Sequence, residues 1–238
     1  MKVWNIFVEY TFLMILMFAL IVNLAIDSCS EYLHANAGEN SYKNTTIILD
    51  AGHGGEDCGA IGINGVYEKD LNLAICFYLK NYFEMAGCSV VLTRTEDKML
   101  YKNDENIYGQ RKLYDLKNRL LIADKYTNAI FVSIHMNSFP IGKYRGLQVW
   151  YQKGSTLSQK IAENVQKLNK QYLQPTNQRL IKAADESMFL LHQSKLPTIL
   201  IECGFLSNLD ECEEMCQKNY QKQLSFIIFC AILEEMEY

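Results

Sequence analysis

The chain has no run of Lys or Arg beyond two or three, and its 238 residues carry a formal charge of -4. Phosphate-backbone binding depends on clustered cations, so the expected ligand is not nucleic acid. Phosphate loops of the nucleotide-binding kind are missing too. Neither GxGxxG nor GxxxxGK[ST] can be laid over Gly52 to Gly65, because Asp57 and Cys58 stand where glycine or lysine is required. Histidines number four. Cysteines number eight, but no second CxxC pair or histidine accompanies Cys203, Cys212 and Cys216 to make a structural zinc site. Cys212 and Cys216 fall one helical turn apart by chance. If Cys29 left with a leader, seven cysteines would remain, an odd count that defeats a complete disulfide framework. Cys76, Cys88 and Cys230 lie in apolar patterns and read as small buried hydrophobes.

What is present is a globular composition, 49% hydrophobic and 21% charged, on a length that supports one sizeable core. The N-terminus stands apart. From Tyr10 to Ile26 the sequence is almost wholly apolar and ends at Asp27, so residues 1–37 read as a signal peptide or an N-terminal membrane anchor. Ala35-Asn36-Ala37 resembles a signal-peptidase site, though it lies far from the apolar run. A lipoprotein reading centred on Cys29 fits less well, since Asp27 and Ser28 replace the small apolar residues expected before such a cysteine. The expected location is outside the cytoplasmic membrane, secreted or anchored. The folded domain is expected over residues 45–238.

From Thr45 onward, strand and helix patterns alternate without repeats. Thr45 to Asp50 is a short β-branched run that stops at a glycine-rich turn, as a buried parallel strand does. A helix is predicted from Glu68, with Leu71, Ile75, Leu79 and Phe83 on one face and Gly87 closing it. Further strands are predicted at Ser89–Thr93, Ala129–Ile134, Gly146–Tyr151 and Thr198–Ile201, and further helices at Arg111–Tyr126, Thr156–Tyr172 and Ser225–Met236. Ser207, with Asp210 three residues on, marks another helix start. The expected fold class is α/β, a single domain with a mostly parallel, mixed sheet and helices on both faces.

Four residues are candidates for chemistry. His53 lies in Ala51-Gly52-His53-Gly54-Gly55, directly after the first strand, and glycines there allow close backbone approach. His135 and Glu202 follow the apolar runs Ala129–Ile134 and Thr198–Ile201. The crevice beyond the carboxyl ends of the strands is where ligands bind in open α/β sheets, so these positions converge. Glu68 opens a helix whose start faces the same crevice. Two histidines and one carboxylate, with a fourth position left to water, describe a catalytic zinc site. A second carboxylate is then needed for proton transfer, and Glu202 is the free one. Plainer readings exist for each residue alone. A histidine is usually a structural hydrogen-bonding group, and Glu68 by itself reads as an acid favoured by the helix dipole. Glu202 is harder to set aside, because an acid directly after four apolar strand residues is costly unless it faces a cleft or partner. Cys58 is also within reach of a metal there, but the His/Glu/His set already suffices. His34 and His192 lack such settings.

Four blocks carry a family resemblance: Ile48-Leu49-Asp50-Ala51-Gly52-His53-Gly54-Gly55, Gly65-Val66-Tyr67-Glu68-Lys69-Asp70, Phe131-Val132-Ser133-Ile134-His135-Met136-Asn137-Ser138, and Ile201-Glu202-Cys203-Gly204-Phe205-Leu206-Ser207-Asn208. In this order they resemble the zinc-dependent N-acetylmuramoyl-L-alanine amidases of the amidase_3 type, from about Thr45 to the C-terminus. The resemblance implies that His53, Glu68 and His135 hold Zn2+ and that Glu202 is the catalytic acid/base. The substrate it implies is peptidoglycan, cut at the lactyl amide between muramic acid and L-alanine. Thr93-Arg94 and Arg119 match recurring family positions expected to shape the site, and Lys69 and Asp70 match others where a structural role is as expected as a chemical one. Arg111 with Asp115-Leu116, Asn177-Gln178-Arg179 and the short domain behind a leader resemble the germination-specific, CwlD-like branch, which prepares spore cortex for muramic-δ-lactam formation. The interval from His135 to Glu202 reads as one strand, one helix and a short connection, with little room for the blocking helix of division-associated relatives. Control is then expected through expression, location or an accessory protein. No wall-binding repeat is visible, so targeting would come from the anchor, the cleft or a partner. A zinc peptidase of stem peptides, and an inactive wall-binding relative, are the alternative readings.

Overall fold

The computed structural model describes residues 44–101 and 110–236. The leader assigned to residues 1–37, with Cys29 and His34, lies outside the described residues. Among the described residues six strands form one sheet: β1 (Thr46–Ala51), β2 (Ser89–Leu92), β3 (Ala129–Asn137), β4 (Gln148–Tyr151), β5 (Lys182–Ala183) and β6 (Thr198–Phe205), in the order β2-β1-β3-β6-β4-β5. β2, β1, β3 and β6 run parallel, β4 is antiparallel to β6, and β5 is parallel to β4. The six helices described are α1 (Glu68–Met85), α2 (Arg111–Ala123), α3 (Thr156–Tyr172), α4 (Phe189–Gln193), α5 (Leu209–Cys216) and α6 (Lys218–Met236). The chain from Thr46 is a single α/β domain with a mixed sheet, as its pattern predicts. None of the described helices is long and apolar enough to cross a membrane.

Side-chain alternation divides the strands between two cores. Ile47, Leu49, Ile130, Val132, Ile134, Ile199 and Ile201 face α1, α3 and α6 in the larger one. Ile48, Phe131 and Leu200 face α2 and α4 in the smaller. Strands buried on both faces read as continuous apolar runs, which is why they stand out in the sequence. Each such fully buried side chain stabilises the fold by about 1.5–3 kcal/mol. α1 ends as its sequence predicts. Gly87 takes φ 85°, its N–H donates to the Glu84 carbonyl at 3.0 Å, and the Cys88 N–H reaches back to Phe83 at 2.9 Å, closing the helix through a left-handed residue.

Several boundaries differ from the sequence pattern. β3 runs on to Asn137 and β6 to Phe205, so His135 and Glu202 lie inside strands rather than directly after them. β1 pairs with β3 only as far as Ala51 opposite Ile134, whereas β3 and β6 continue to pair up to Asn137 opposite Phe205, with a register shift between His135 and Asn137. The crevice therefore begins where β1 leaves the sheet. α5 is capped by Asn208, whose side chain accepts from the Glu211 N–H at 3.1 Å; the Ser207 hydroxyl accepts from the Phe139 N–H instead. The terminal helix starts at Lys218, seven residues before its apolar stripe becomes readable, and the connection before β6 contains the short elements β5 and α4.

An ionic cluster crosses the small core. Asp50, fully buried at the end of β1, accepts from the Thr93 hydroxyl at 2.7 Å, the Ser133 hydroxyl at 2.7 Å and the Arg119 guanidinium at 2.6 Å. Burial alone would raise its pKa, but Arg119 and the two hydroxyls outweigh burial and hold the carboxyl below its usual range. Arg119 Nε also binds Asp115 at 2.7 Å. Removing one partner from such a set leaves buried charges uncompensated, at a cost of roughly 3–5 kcal/mol. Arg119→Met is thus expected to lower the unfolding free energy in urea by about that amount, and a loss under about 1 kcal/mol would contradict a cluster that depends on its central arginine.

Candidate active site and metal centre

The turn after β1 holds the first histidine in an uncommon backbone conformation. His53 has φ 62°, the left-handed region that a residue with a side chain rarely enters, and it is the one non-glycine there among the described residues. Two buried guanidinium groups fix the turn. Arg94 donates to the Ala51 carbonyl at 2.9 Å, the Gly52 carbonyl at 3.0 Å and the Lys69 carbonyl at 2.7 Å. Arg119 donates to the Ala51 carbonyl at 2.7 Å and the His53 carbonyl at 2.8 Å. The expectation that Arg94 and Arg119 shape the site takes this concrete form, since together they hold three successive carbonyls. Lys69 binds the Gly55 carbonyl at 2.8 Å and Asp97 at 2.6 Å, so it secures the same turn.

His53, Glu68 and His135 converge. His53 Nε2 lies 3.3 Å and His135 Nδ1 3.0 Å from the same oxygen, Oε1 of Glu68. All three donor atoms lie within 4.8 Å of one another. Metal–ligand distances of about 2.0–2.1 Å in a tetrahedron place neighbouring donor atoms about 3.3 Å apart, so this spacing fits a small divalent cation. Glu68 is presented rigidly. Its Oε2 accepts from the Ala60 N–H at 2.8 Å, and its Oε1 from the Met136 N–H at 2.9 Å and the Asn72 amide at 3.3 Å. Burial works against its charge, but His135 and His53 outweigh it and keep the carboxyl well below the usual range. Burial likewise disfavours the His53 cation, yet hydrogen bonds to Asp57 and Glu68 raise it to about 9. The cluster is a place where positive charge is stabilised.

Glu202 stands beside this triangle. It is the register partner of His135 on the neighbouring strand, so the two side chains leave the sheet on the same face. Its Oε2 is buried with no hydrogen-bond partner among the described residues. Burial pushes its carboxyl up to about 7; the charge of Glu68 adds to the shift, and His135, His53 and Arg179 pull against it. A buried carboxylate oxygen without a partner is uncommon, and a raised pKa beside charged groups is a mark of functional positions.

The chain is similar in sequence to the family Amidase_3, N-acetylmuramoyl-L-alanine amidase, over residues 47–234. It belongs to that family. The germination-specific N-acetylmuramoyl-L-alanine amidase of Bacillus subtilis is 32% identical to it over 187 residues, 79% of this chain and 78% of that protein. Among solved structures, the CwlD amidase from Clostridioides difficile in complex with the GerS lipoprotein is similar at 39% identity and TM-score 0.76, covering 81% of this chain and 98% of that one. The amidase AmiC2 of Nostoc punctiforme follows at 28% identity and TM-score 0.70, covering 82% and 98%. The chain is therefore an amidase enzyme, and the peptidase and inactive-binder readings give way.

Other candidates fall outside the triangle. Cys58 turns its thiol to the Gly59 carbonyl at 3.3 Å, and His192 is exposed. Cys203 and Cys212 are buried, and Cys212 approaches Asn64; all seven cysteines among the described residues are free thiols. Arg111 forms an exposed ion pair with Glu56. Two residues with a role at the site went unread in the sequence. Asp57 accepts from His53 Nδ1 at 2.9 Å, which turns Nε2 toward Glu68 and raises its basicity as a ligand. Asn72 bridges Glu68 and the Gly52 carbonyl. Its signal was available, since it follows Glu68 by four residues on one helix face.

Gly52 completes the arrangement. A Cβ there would sit 2.3 Å from Cε1 and Nε2 of His135, so the imidazole occupies the space that only a glycine leaves open. Gly52→Ala is expected to yield a folded protein that binds divalent zinc or cobalt about tenfold or more weakly in chelator competition. Unchanged affinity would show that His135 does not depend on that space.

Proposed function

We propose that His53, Glu68 and His135 hold a zinc ion and that Glu202 is the catalytic acid/base for hydrolysis of the amide between the lactyl group of muramic acid and L-alanine. The observation that carries this reading is the pairing in the sheet of Glu202, whose Oε2 is buried and unpartnered, with His135, one of three metal-capable donors. Zinc in such a site supplies Lewis-acid activation of water and of the amide carbonyl. Glu202, with its pKa near neutrality, takes a proton from the attacking water and delivers it to the alanine nitrogen as the C–N bond breaks, leaving a lactyl carboxylate and a free amine. Glu68 keeps its negative charge for the metal, because the Ala60 and Met136 N–H groups and the Asn72 amide fix its oxygens. Asp57 holds His53 with Nε2 toward the cluster.

The relatives support a biological setting for this reading. A germination-specific amidase and a CwlD amidase bound to a lipoprotein support action outside the cytoplasm on peptidoglycan of the spore cortex, with an accessory protein as the expected partner. Residues 1–37 serve as signal peptide or membrane anchor in this reading, and residues 45–238 as the catalytic domain. Deletion is expected to leave growth and division normal, while spores lack muramic-δ-lactam and fail to complete germination. Chained vegetative cells with normal cortex muropeptides would instead assign the enzyme to cell separation.

Ligand and acid/base roles separate by paired substitutions. Glu202→Gln is expected to retain one zinc per chain while cleavage falls roughly 10²- to 10⁴-fold. Glu68→Gln, and alanine at His53 or His135, are expected to lose the metal. Zinc content and released L-alanine amino ends would be measured on the same samples after circular dichroism. A fully active Glu202→Gln protein would end this mechanism.

A further inference from the structure

A cleft of about 390 Å³ is lined by the loop Lys143–Gly146 before β4 and the loop Leu173–Arg179 before β5. Its charged lining consists of Lys143, Arg145 and Arg179 against one acid, Glu214. None of the three cations forms a salt bridge among the described residues, although exposed ion pairs are made elsewhere on the surface. Arg179 is the most constrained. Its guanidinium lies 4.8 Å over the Phe205 ring, it donates through Nη2 to Gln148 Oε1, and its Nε is buried without a partner. Gln148 is itself the register partner of Glu202. A half-buried arginine that spends one donor on a neutral amide retains most of its charge for a ligand.

The loops are built to hold that position. Asn177 donates to the Leu147 carbonyl at 2.9 Å and accepts from the Arg179 N–H at 2.9 Å. Gly146, at φ 100°, lets Asn177 approach, since a Cβ there would meet its amide at 2.7 Å. Glu211, buried below, accepts from the Gly146 N–H at 2.8 Å and the Phe205 N–H at 2.8 Å, which ties the cleft floor to β6.

We infer that Arg179, with Lys143 and Arg145, forms a subsite for a carboxylate of the peptide arm of the substrate. The direction follows from the chemistry, and this step rests on the proposed role of Glu202. If Glu202 hands its proton to the alanine nitrogen, the leaving peptide lies on its side of the crevice, where Arg179 reaches Gln148, the register partner of Glu202. The stem peptide bears free carboxylates beyond alanine, whereas the glycan on the other side is neutral because its lactyl carboxyl is tied up in the amide. Arg179 acts here on affinity and orientation and does not touch the reacting atoms.

The test uses disaccharide tetrapeptides that carry either D-glutamate or its α-amide, D-isoglutamine, at the second position and so differ by one carboxylate. Zinc-loaded wild type is expected to cleave the acid form with a kcat/KM about tenfold higher, mostly through KM, as a charge-assisted hydrogen bond to arginine predicts. In Arg179→Gln the preference is expected to shrink to within about twofold, and in Arg179→Lys to be partly restored. Should Arg179→Gln fail to fold, the Lys143→Gln/Arg145→Gln pair on the exposed loop reads the same ratio. A wild-type ratio near one, or an unchanged ratio in folded variants, overturns the subsite. Binding of both peptides to zinc-loaded Glu202→Gln separates the two levels. Discrimination in binding without wild-type cleavage would retain the cleft and sink the amidase mechanism, whereas cleavage without discrimination would do the reverse.

Discussion

The site depends on how a turn of unfavourable backbone is held rigid. The carbonyls of Ala51, Gly52 and His53 point into protein instead of water, and each is met by an arginine, Arg94 or Arg119 or both. Charged donors are the ones strong enough for this task, because a charge-assisted hydrogen bond is roughly twice as strong as a neutral one. Asp50 and Asp115 in turn make it tolerable to bury Arg119. Without that bracing, His53 could relax out of its left-handed conformation and carry its imidazole away from Glu68. The ionic core and the metal-capable triangle are therefore one construction, with the ions below and the chemistry above.

The path of β1 explains the rest of the geometry. By leaving the sheet at Gly52 it exposes the flank of β3 just where His135 projects, and the missing Cβ of Gly52 admits the imidazole. β6 stays paired with β3 for three further residues, and this continued pairing sets Glu202 next to His135. α1 then brings Glu68 from the opposite side of the turn, fixed through Ala60 and Met136. Three elements of separate sequence origin meet because β1 stops short of β3.

Much of this was legible in the sequence. Apolar runs such as Ile47–Leu49 and Ile130–Val132 announce strands buried on both faces, and the i, i+4 spacing of Leu71, Ile75, Leu79 and Phe83 announces α1. Residue type and position also pick out His53, His135, Glu68 and Glu202. Other parts were hidden for identifiable reasons. β3 and β6 extend past their apolar stretches because pairing with each other, rather than hydrophobicity, carries them on to Asn137 and Phe205. Lys182–Ala183 has too few residues to show any period. The start of α6 is masked by polar residues, since only its later turns are strongly apolar. Asp57 acts through a contact to a histidine in a turn, which leaves no periodic trace, whereas Asn72 could be read from its i, i+4 spacing to Glu68. The antiparallel setting of β4 likewise follows from tertiary packing and not from its four residues.

The sheet also ends abruptly on both margins: β2 contributes four residues and β5 two. An edge strand is a template on which a second chain can add itself through open N–H and C=O groups, and a short edge gives it little to hold. The long, apolar and most adhesive strands, β1, β3 and β6, are all interior to the sheet. The same arrangement that buries the strands carrying His135 and Glu202 thus leaves only short strands at the sheet margins among the described residues.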